Sequence, residues 1–354
     1  MNVVLMIGTG VWTGAERHVE VLAQGLAARG HRVHVACRAG TVVERRMARR
    51  CEVLPLAMRN VLDFASGLRL ARFLSQNRVD VLHAHHNKVG WLALFAARVA
   101  GVEKVFGTQH MVPDRPKRDP LHRWLMGSFR AVICPSEFAC AFFRGLFPSL
   151  PAGKFVAVPN GTEDCLRDRP PGGSDETLRL LAVGRVSRRK GTDTLLKAMA
   201  LLKGLPVRLQ LTGDFDQGME DWVRSFVREN DLGPAVRVGG FSEDVGAELA
   251  NADVFVLPSV VPESGGPMAM VEAMSGALPV VVSASGSQGE IVRHGENGLL
   301  VDAGDVEGLA VAIRALAGDA GLRARLGANA RSTFLERLTI ERMVEATERV
   351  YREA

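Results

Sequence analysis

The residues best suited to chemistry lie between positions 256 and 282, VLPSVVPESGGPMAMVEAMSGALPVVV. One carboxylate, Glu263, stands just before Gly265, Gly266 and Pro267. A second, Glu272, lies on a helix that starts near Met268 and stops at Gly276. A helix N-terminus preceded by glycines presents N–H groups that suit an anion. Carboxylates repel that anion, so this pair suits hydroxyl groups instead. An anion beside hydroxyls is the chemistry of a sugar nucleotide. An ordinary strand–helix–strand crossover with solvated acids fits the same residues, and both readings stand at this point.

A second cluster is cationic: Gly184-Arg185-Val-Ser-Arg188-Arg189-Lys190-Gly191 follows an apolar strand and enters a helix. Guanidinium and ammonium groups there suit a diphosphate, especially a leaving group whose charge grows in the transition state. Glycines bracketing the cluster favour this over a merely solvated loop. The pair Asp214 and Asp216 has the D-x-D form of a metal pair, but turn acids commonly look the same, and no metal site is expected. His83, His85 and His86 fall at or just past one strand end, and His110 ends the next. A His-x-His pair can hold zinc, yet no cysteine or obvious third ligand accompanies it. His110 is the favoured functional histidine, being flanked by Gly107 and a basic loop. The turn Gly8–Gly14 is one residue longer than the dinucleotide fingerprint, and the second strand ends in Cys37-Arg38 without an acid for a ribose, which disfavours NAD chemistry.

Apolar strands alternate with helices of 3.6-residue period. Strands are expected at 3–7, 31–37, 79–83, 104–108, 131–134 and 155–158, with helices at 15–29, 66–77, 90–100, 121–129 and 137–147. Residues 164–175, DCLRDRPPGGSD, fit no periodic element and read as a linker. Alternation then restarts, with strands at 178–183, 207–212, 235–239, 253–257, 278–282 and 298–301. The tail after 305 is helical, broken at 318–321 and 327. The expected class is α/β, two doubly wound domains facing a cleft lined by the carboxyl ends of both sheets. The expected division is 1–165, a linker at 166–176, a second domain at 177–335, and a C-terminal helix at 336–354 that packs back on the first domain.

A length of 354 residues also favours two domains. Apolar residues make up 47% and charged residues 23%, the balance of a globular chain rather than a membrane-spanning or disordered one. The apolar start 1–8 reads as a strand, not a signal peptide. Five scattered cysteines without C-x-x-C argue for reduced thiols, a cytoplasmic setting and no structural zinc. Residues 1–170 hold 24 Lys/Arg against 13 Asp/Glu, an excess of 11, while the rest carries an excess of 6 acids. The first half should therefore face something anionic. Few aromatics interleave those bases and the chain has one Tyr, which disfavours nucleic acid and leaves anionic phospholipid or a charged glycolipid.

Taken together, TGAERHVEVLAQGLAARGHRVHV, DVLHAHH, GTQH, ICPSE, VPNG, LLAVGRVSRRKGTDTLLKAM, LTGD, ANADVFVLPS, the E-x-GG-x…EAMSGALPVV stretch and GEIVRHGENGLLVDAGD resemble the retaining family 4 glycosyltransferases of two-Rossmann-domain (GT-B) architecture. The resemblance spans nearly the whole chain. It implies that Arg185 and Lys190 hold the donor diphosphate, that Glu263 contacts the donor sugar and that Glu272 holds the nucleotide ribose. It also implies that Gly14 lies over the phosphates, that His110 sits near the transferred sugar and that Glu290 belongs to the base-side loop. Gly184, Gly265, Gly266, Pro267 and Met268 complete the implied donor site, and His85, Arg115 and Arg118 are assigned to the acceptor. The family usually places seven residues between its two acids. Here there are eight, so either the loop bulges at Gly265-Gly266 or Ser264 takes the first acidic position.

The implied reaction is retaining transfer of a hexose, from UDP as the expected nucleotide, to a glycan or glycolipid, with no metal or other cofactor. A lipopolysaccharide core or lipid-linked glycan is the expected acceptor, met at the inner face of the cytoplasmic membrane. A UDP-sugar 2-epimerase of the same architecture and a non-catalytic partner subunit are the alternatives.

Overall fold

The computed structural model describes residues 1–60, 62–167 and 177–354, so most of the expected linker lies outside the described residues. The chain forms two compact units, one of residues 1–162 with 339–354 and one of residues 163–338.

In the first unit the strands are β1 (Asn2–Ile7), β2 (Arg32–Arg38), β3 (Glu52–Leu56), β4 (Val81–His85), β5 (Lys104–Thr108), β6 (Val132–Cys134) and β7 (Phe155–Ala157). Helices α1 (Gly14–Ala28), α2 (Val42–Met47), α3 (Phe64–Gln76), α4 (Asn87–Ala100), α5 (Pro120–Ser128) and α6 (Glu137–Leu146) connect them. The sheet is parallel, in the order β3-β2-β1-β4-β5-β6-β7. Residues Val3 to Ile7 of β1 have no exposed surface, as a central parallel strand covered on both faces requires. Each such side chain contributes roughly 1.5–3 kcal/mol of burial.

The second unit repeats the plan with β8 (Leu178–Val183), β9 (Val207–Thr212), β10 (Val236–Gly240), β11 (Val254–Leu257), β12 (Val280–Ser283) and β13 (Leu299–Val301). Its helices are α7 (Thr192–Leu201), α8 (Met219–Glu229), α9 (Val245–Ala250), α10 (Met268–Ser275), α11 (Gln288–Ile291), α12 (Val306–Gly318) and α13 (Ala320–Arg337). Strand order is β10-β9-β8-β11-β12-β13, again parallel. Both units are Rossmann-like, each with a point where the strand order reverses: β1/β4 in the first, β8/β11 in the second. Ligands of such sheets bind at the carboxyl ends beside that point.

A final helix, α14 (Ile340–Glu353), belongs to the first unit. It packs on α1, where a Cβ on Gly25 would lie 2.5 Å from Val344 Cγ2. Glu348 fastens it, accepting from Arg29 at 2.9 and 3.0 Å and pairing with His31 at 2.6 Å.

Three expectations are corrected. Helix α2 and strand β3 were not foreseen, because the run RRMARR masks the two buried apolar residues of α2, Val43 and Met47, and Pro55 argues against a strand. Proline is tolerated here because β3 is the sheet edge. Strand β4 begins and ends two residues later than expected, so His83 sits mid-strand and His85 lies within it rather than past its end. Helix α13 runs straight through Gly327, whose missing side chain admits the Ala277 carbonyl; a Cβ would lie 2.4 Å from that oxygen.

Candidate functional site

The reversal point of the second sheet carries the cationic loop. Gly184 and Arg185 leave β8, and Pro258 leaves β11 next to it. Together with Lys190, Thr192 and Leu257 they line one pocket. The loop is tied down from within: Ser187 N–H donates to Thr192 Oγ1 at 3.1 Å, and Val260 N–H to the Arg189 carbonyl at 3.0 Å. Gly191, at φ +72°, precedes α7 and lies against β11, where a Cβ would be 1.9 Å from the Pro258 carbonyl. No other residue type fits both the dihedral and the space.

Within this frame Lys190 Nζ lies 2.7 Å from Glu263 Oε1, and the buried Ser259 hydroxyl donates to that same oxygen at 2.6 Å. Glu263 is itself anchored by its backbone. Its N–H donates to Ser285 at 3.2 Å, and its carbonyl accepts from Ser287 at 2.9 Å, around Gly286. Arg185 Nη1 reaches Asp216 Oδ1 at 3.2 Å. The D-x-D pair thus has a structural use: Asp216 orients Arg185, and the Asp214 carbonyl accepts from Val186 at 2.8 Å.

The acidic stretch continues into α10. Gly265 and Gly266 are buried, and a Cβ on Gly266 would lie 2.5 Å from Ile291 Cδ1. Pro267 precedes α10 and supplies no side-chain cap, Met268 begins it, and Glu272 lies in its second turn with 8% exposure. Glu290 is exposed on the short α11.

In the first unit, histidines gather at the reversal point between β1 and β4. His85 Nδ1 lies 3.0 Å from His110 Nε2, with the rings tilted only 19° and their centroids 5.2 Å apart. His83 packs on His85 at 4.2 Å between centroids and is pinned by the Tyr351 hydroxyl at 2.7 Å and the Thr108 hydroxyl at 2.6 Å. His18 of α1 closes the group, 4.9 Å from His110 between centroids. Burial holds His18 down to about 4 and His83 down to about 3, and keeps His85 and His110 well below the ordinary imidazole value. All four are neutral at neutral pH. Ring nitrogens of His18, His85 and His110 lie within 4.8 Å of one another, so these are the residues that could hold a metal ion. However, the facing nitrogens of His85 and His110 are directed at each other, an arrangement that suits a hydrogen bond rather than convergent lone pairs.

The family profile "Glycosyl transferases group 1" matches residues 167–333, and the profile "Glycosyltransferase Family 4" matches residues 12–164. The chain belongs to the family 4 glycosyltransferases. Over 194 residues it is 33% identical to the lipopolysaccharide core biosynthesis glycosyltransferase LpsE of Rhizobium meliloti, covering 55% of this chain and 53% of that protein. The chain thus spans about half the length of this relative. Over 327 residues it is 29% identical to the phosphatidyl-myo-inositol mannosyltransferase of Mycobacterium leprae, covering 88% and 86%. Its fold matches that of Anabaena HepE, solved in complex with UDP and glucose, with a TM-score of 0.84 at 20% identity over 100% of each chain.

For this family 4 glycosyltransferase, one site expectation changes. His85 has no exposed surface, so it cannot touch an acceptor directly; its neighbours are other imidazoles. The glycine turn before α1 is tied down by side chains. The fully buried Glu16 caps it, accepting from Thr13 N–H at 2.7 Å and from the Thr9 and Thr13 hydroxyls. Its carboxylate completes a capping box with Thr13 at the start of α1, beside Gly14. Arg115 and Arg118 are exposed in the segment between β5 and α5. Ser259, Asp216, His18 and Tyr351 are partners that sequence spacing did not reveal.

Proposed function

We propose that this chain is a retaining hexosyltransferase that uses a nucleotide diphosphate sugar, with UDP as the nucleotide, and a glycan or glycolipid acceptor. The observation that carries the reading is the pocket at the β8/β11 reversal point, with Arg185 and Lys190 on its wall and Glu263 2.7 Å from the Lys190 ammonium. Two cations there stabilise charge growing on a departing diphosphate, the task that metal ions perform in other transferases. Glu263 and Glu272 supply acceptors for sugar and ribose hydroxyls. The bond from the anomeric carbon to the phosphate oxygen breaks, a bond to the acceptor oxygen forms on the same face, and the acceptor proton passes to the leaving phosphate oxygen.

The activities of LpsE and of the mycobacterial mannosyltransferase, and the UDP and glucose bound to HepE, support a sugar-nucleotide donor and an amphiphilic or lipopolysaccharide acceptor. Among the described residues no helix is long and apolar enough to cross a membrane. The excess of 11 positive charges in residues 1–170, with Leu121 and Trp124 exposed beside Arg118 and Arg123, supports a peripheral position on an anionic cytoplasmic membrane face.

The test is incubation with UDP-, GDP- and ADP-hexoses and lipopolysaccharide core oligosaccharide, followed by NMR of the new anomeric centre. The reading predicts an α-linked product from an α-linked donor. Inversion overturns the retaining assignment, and conversion of donor alone to an epimeric sugar nucleotide replaces the transferase with an epimerase.

A further inference from the structure

His85 is buried on β4, and its Nδ1 faces His110 Nε2 at 3.0 Å. The 5.2 Å between ring centroids nearly equals that separation plus the two ring radii, so the facing nitrogens point along one line. One of them must carry the proton. The opposite nitrogen of His85, Nε2, is buried and has no hydrogen-bond partner among the described residues. Were the proton there, the ring would bury an unpaired N–H; were it on Nδ1, the ring would bury only an unused lone pair. The first costs more, because a buried donor without a partner forfeits its full solvation. His85 therefore carries its proton on Nδ1 and donates it to His110. His110 is neutral and accepts at Nε2, so its own proton must sit on Nδ1.

We propose that His85 is a positioning residue that fixes His110 in the Nδ1–H tautomer, leaving His110 to act as a hydrogen-bond donor through Nδ1 and denying it a role as general base through Nε2. The orientation of His85 is in turn held by the face of His83, which the Thr108 and Tyr351 hydroxyls clamp at both nitrogens. The last helix of the chain thus contributes, through Tyr351, to the setting of His110. The consequence for turnover rests on the transferase reading above; the tautomer itself does not.

Long-range proton–nitrogen NMR correlations on protein labelled with 15N-histidine read the tautomer directly, without added nucleotide. The His110 signals are assigned by their loss in His110→Gln. The wild type should show His110 protonated at Nδ1 and bare at Nε2. In His85→Phe the preference should revert to Nε2–H, while His85→Asn, whose amide keeps a donor near the Nδ1 position, should retain the wild-type pattern. Under the transferase reading, His85→Phe lowers kcat roughly 10–100-fold with a smaller change in KM for the donor, as loss of an outer orienting partner does, and His85→Asn restores most of it. His110 protonated at Nε2 in the wild type overturns the proposal, whether or not His85→Phe folds. So does an unchanged His110 tautomer in a folded His85→Phe. Absence of transfer with every donor overturns the functional reading and leaves the NMR result to decide this one.

Discussion

Lys190 illustrates how one side chain can serve two partners. Its ammonium is held 2.7 Å from Glu263, so an incoming phosphate must share a cation already paired. Two opposite effects follow. Lys190→Ala should lower kcat/KM for donor by roughly 10²–10³-fold, the scale for removing one group that stabilises a developing anion. Glu263→Gln should instead release the ammonium, tightening the binding of bare UDP by about fivefold, the equivalent of a partly exposed ion pair of about 1 kcal/mol, while sugar transfer falls. Calorimetric titration with UDP alongside a transfer assay separates these outcomes; weaker UDP binding in Glu263→Gln contradicts the account. Arg185 and Lys190 were legible in the sequence because glycines bracket a basic cluster between a strand and a helix. Ser259 and Asp216 were not, because nothing in the linear order says which loops meet. Of the two candidates for the first acidic position, Glu263, anchored about Gly286, is the one whose side chain lies beside Lys190.

Most elements could be read from period and punctuation, since parallel strands are continuous apolar runs and each helix face repeats at 3.6 residues. The failures have local causes. An edge strand containing Pro55 and a helix of six residues carry too little periodic signal, and Gly327 looks like a breaker although it is a contact point for the Ala277 carbonyl. The last helix, α14, is fixed by electrostatics as well as packing. Arg29, and then His31, hold the Glu348 carboxyl down to about 2 from an ordinary 4.5. A depressed carboxyl stabilises the fold fully above about 4.5 and loses that contribution as pH falls toward 2. The stability difference between wild type and Glu348→Gln should therefore shrink as pH falls below 4.5. Denaturant titrations at stepped pH check this; a difference that grows on acidification contradicts it.

At the scale of the whole molecule, charge is divided unevenly along the chain. The first 170 residues carry an excess of 11 positive charges, and the remainder, which holds the pocket at the β8/β11 reversal point, an excess of 6 negative ones. Co-sedimentation with vesicles should show binding at low salt when anionic lipid is present, falling as salt screens it. Equal binding to neutral vesicles, or none to anionic ones, contradicts a membrane-facing first half. The central claim is narrower: the cations at the β8/β11 reversal point hold a nucleotide diphosphate. Thermal unfolding with and without UDP measures it most directly, because a ligand that binds only the folded state raises Tm by mass action. The account predicts a clear rise for the wild type and little or none for Lys190→Ala. An equal rise in both, or no rise in the wild type, would contradict it.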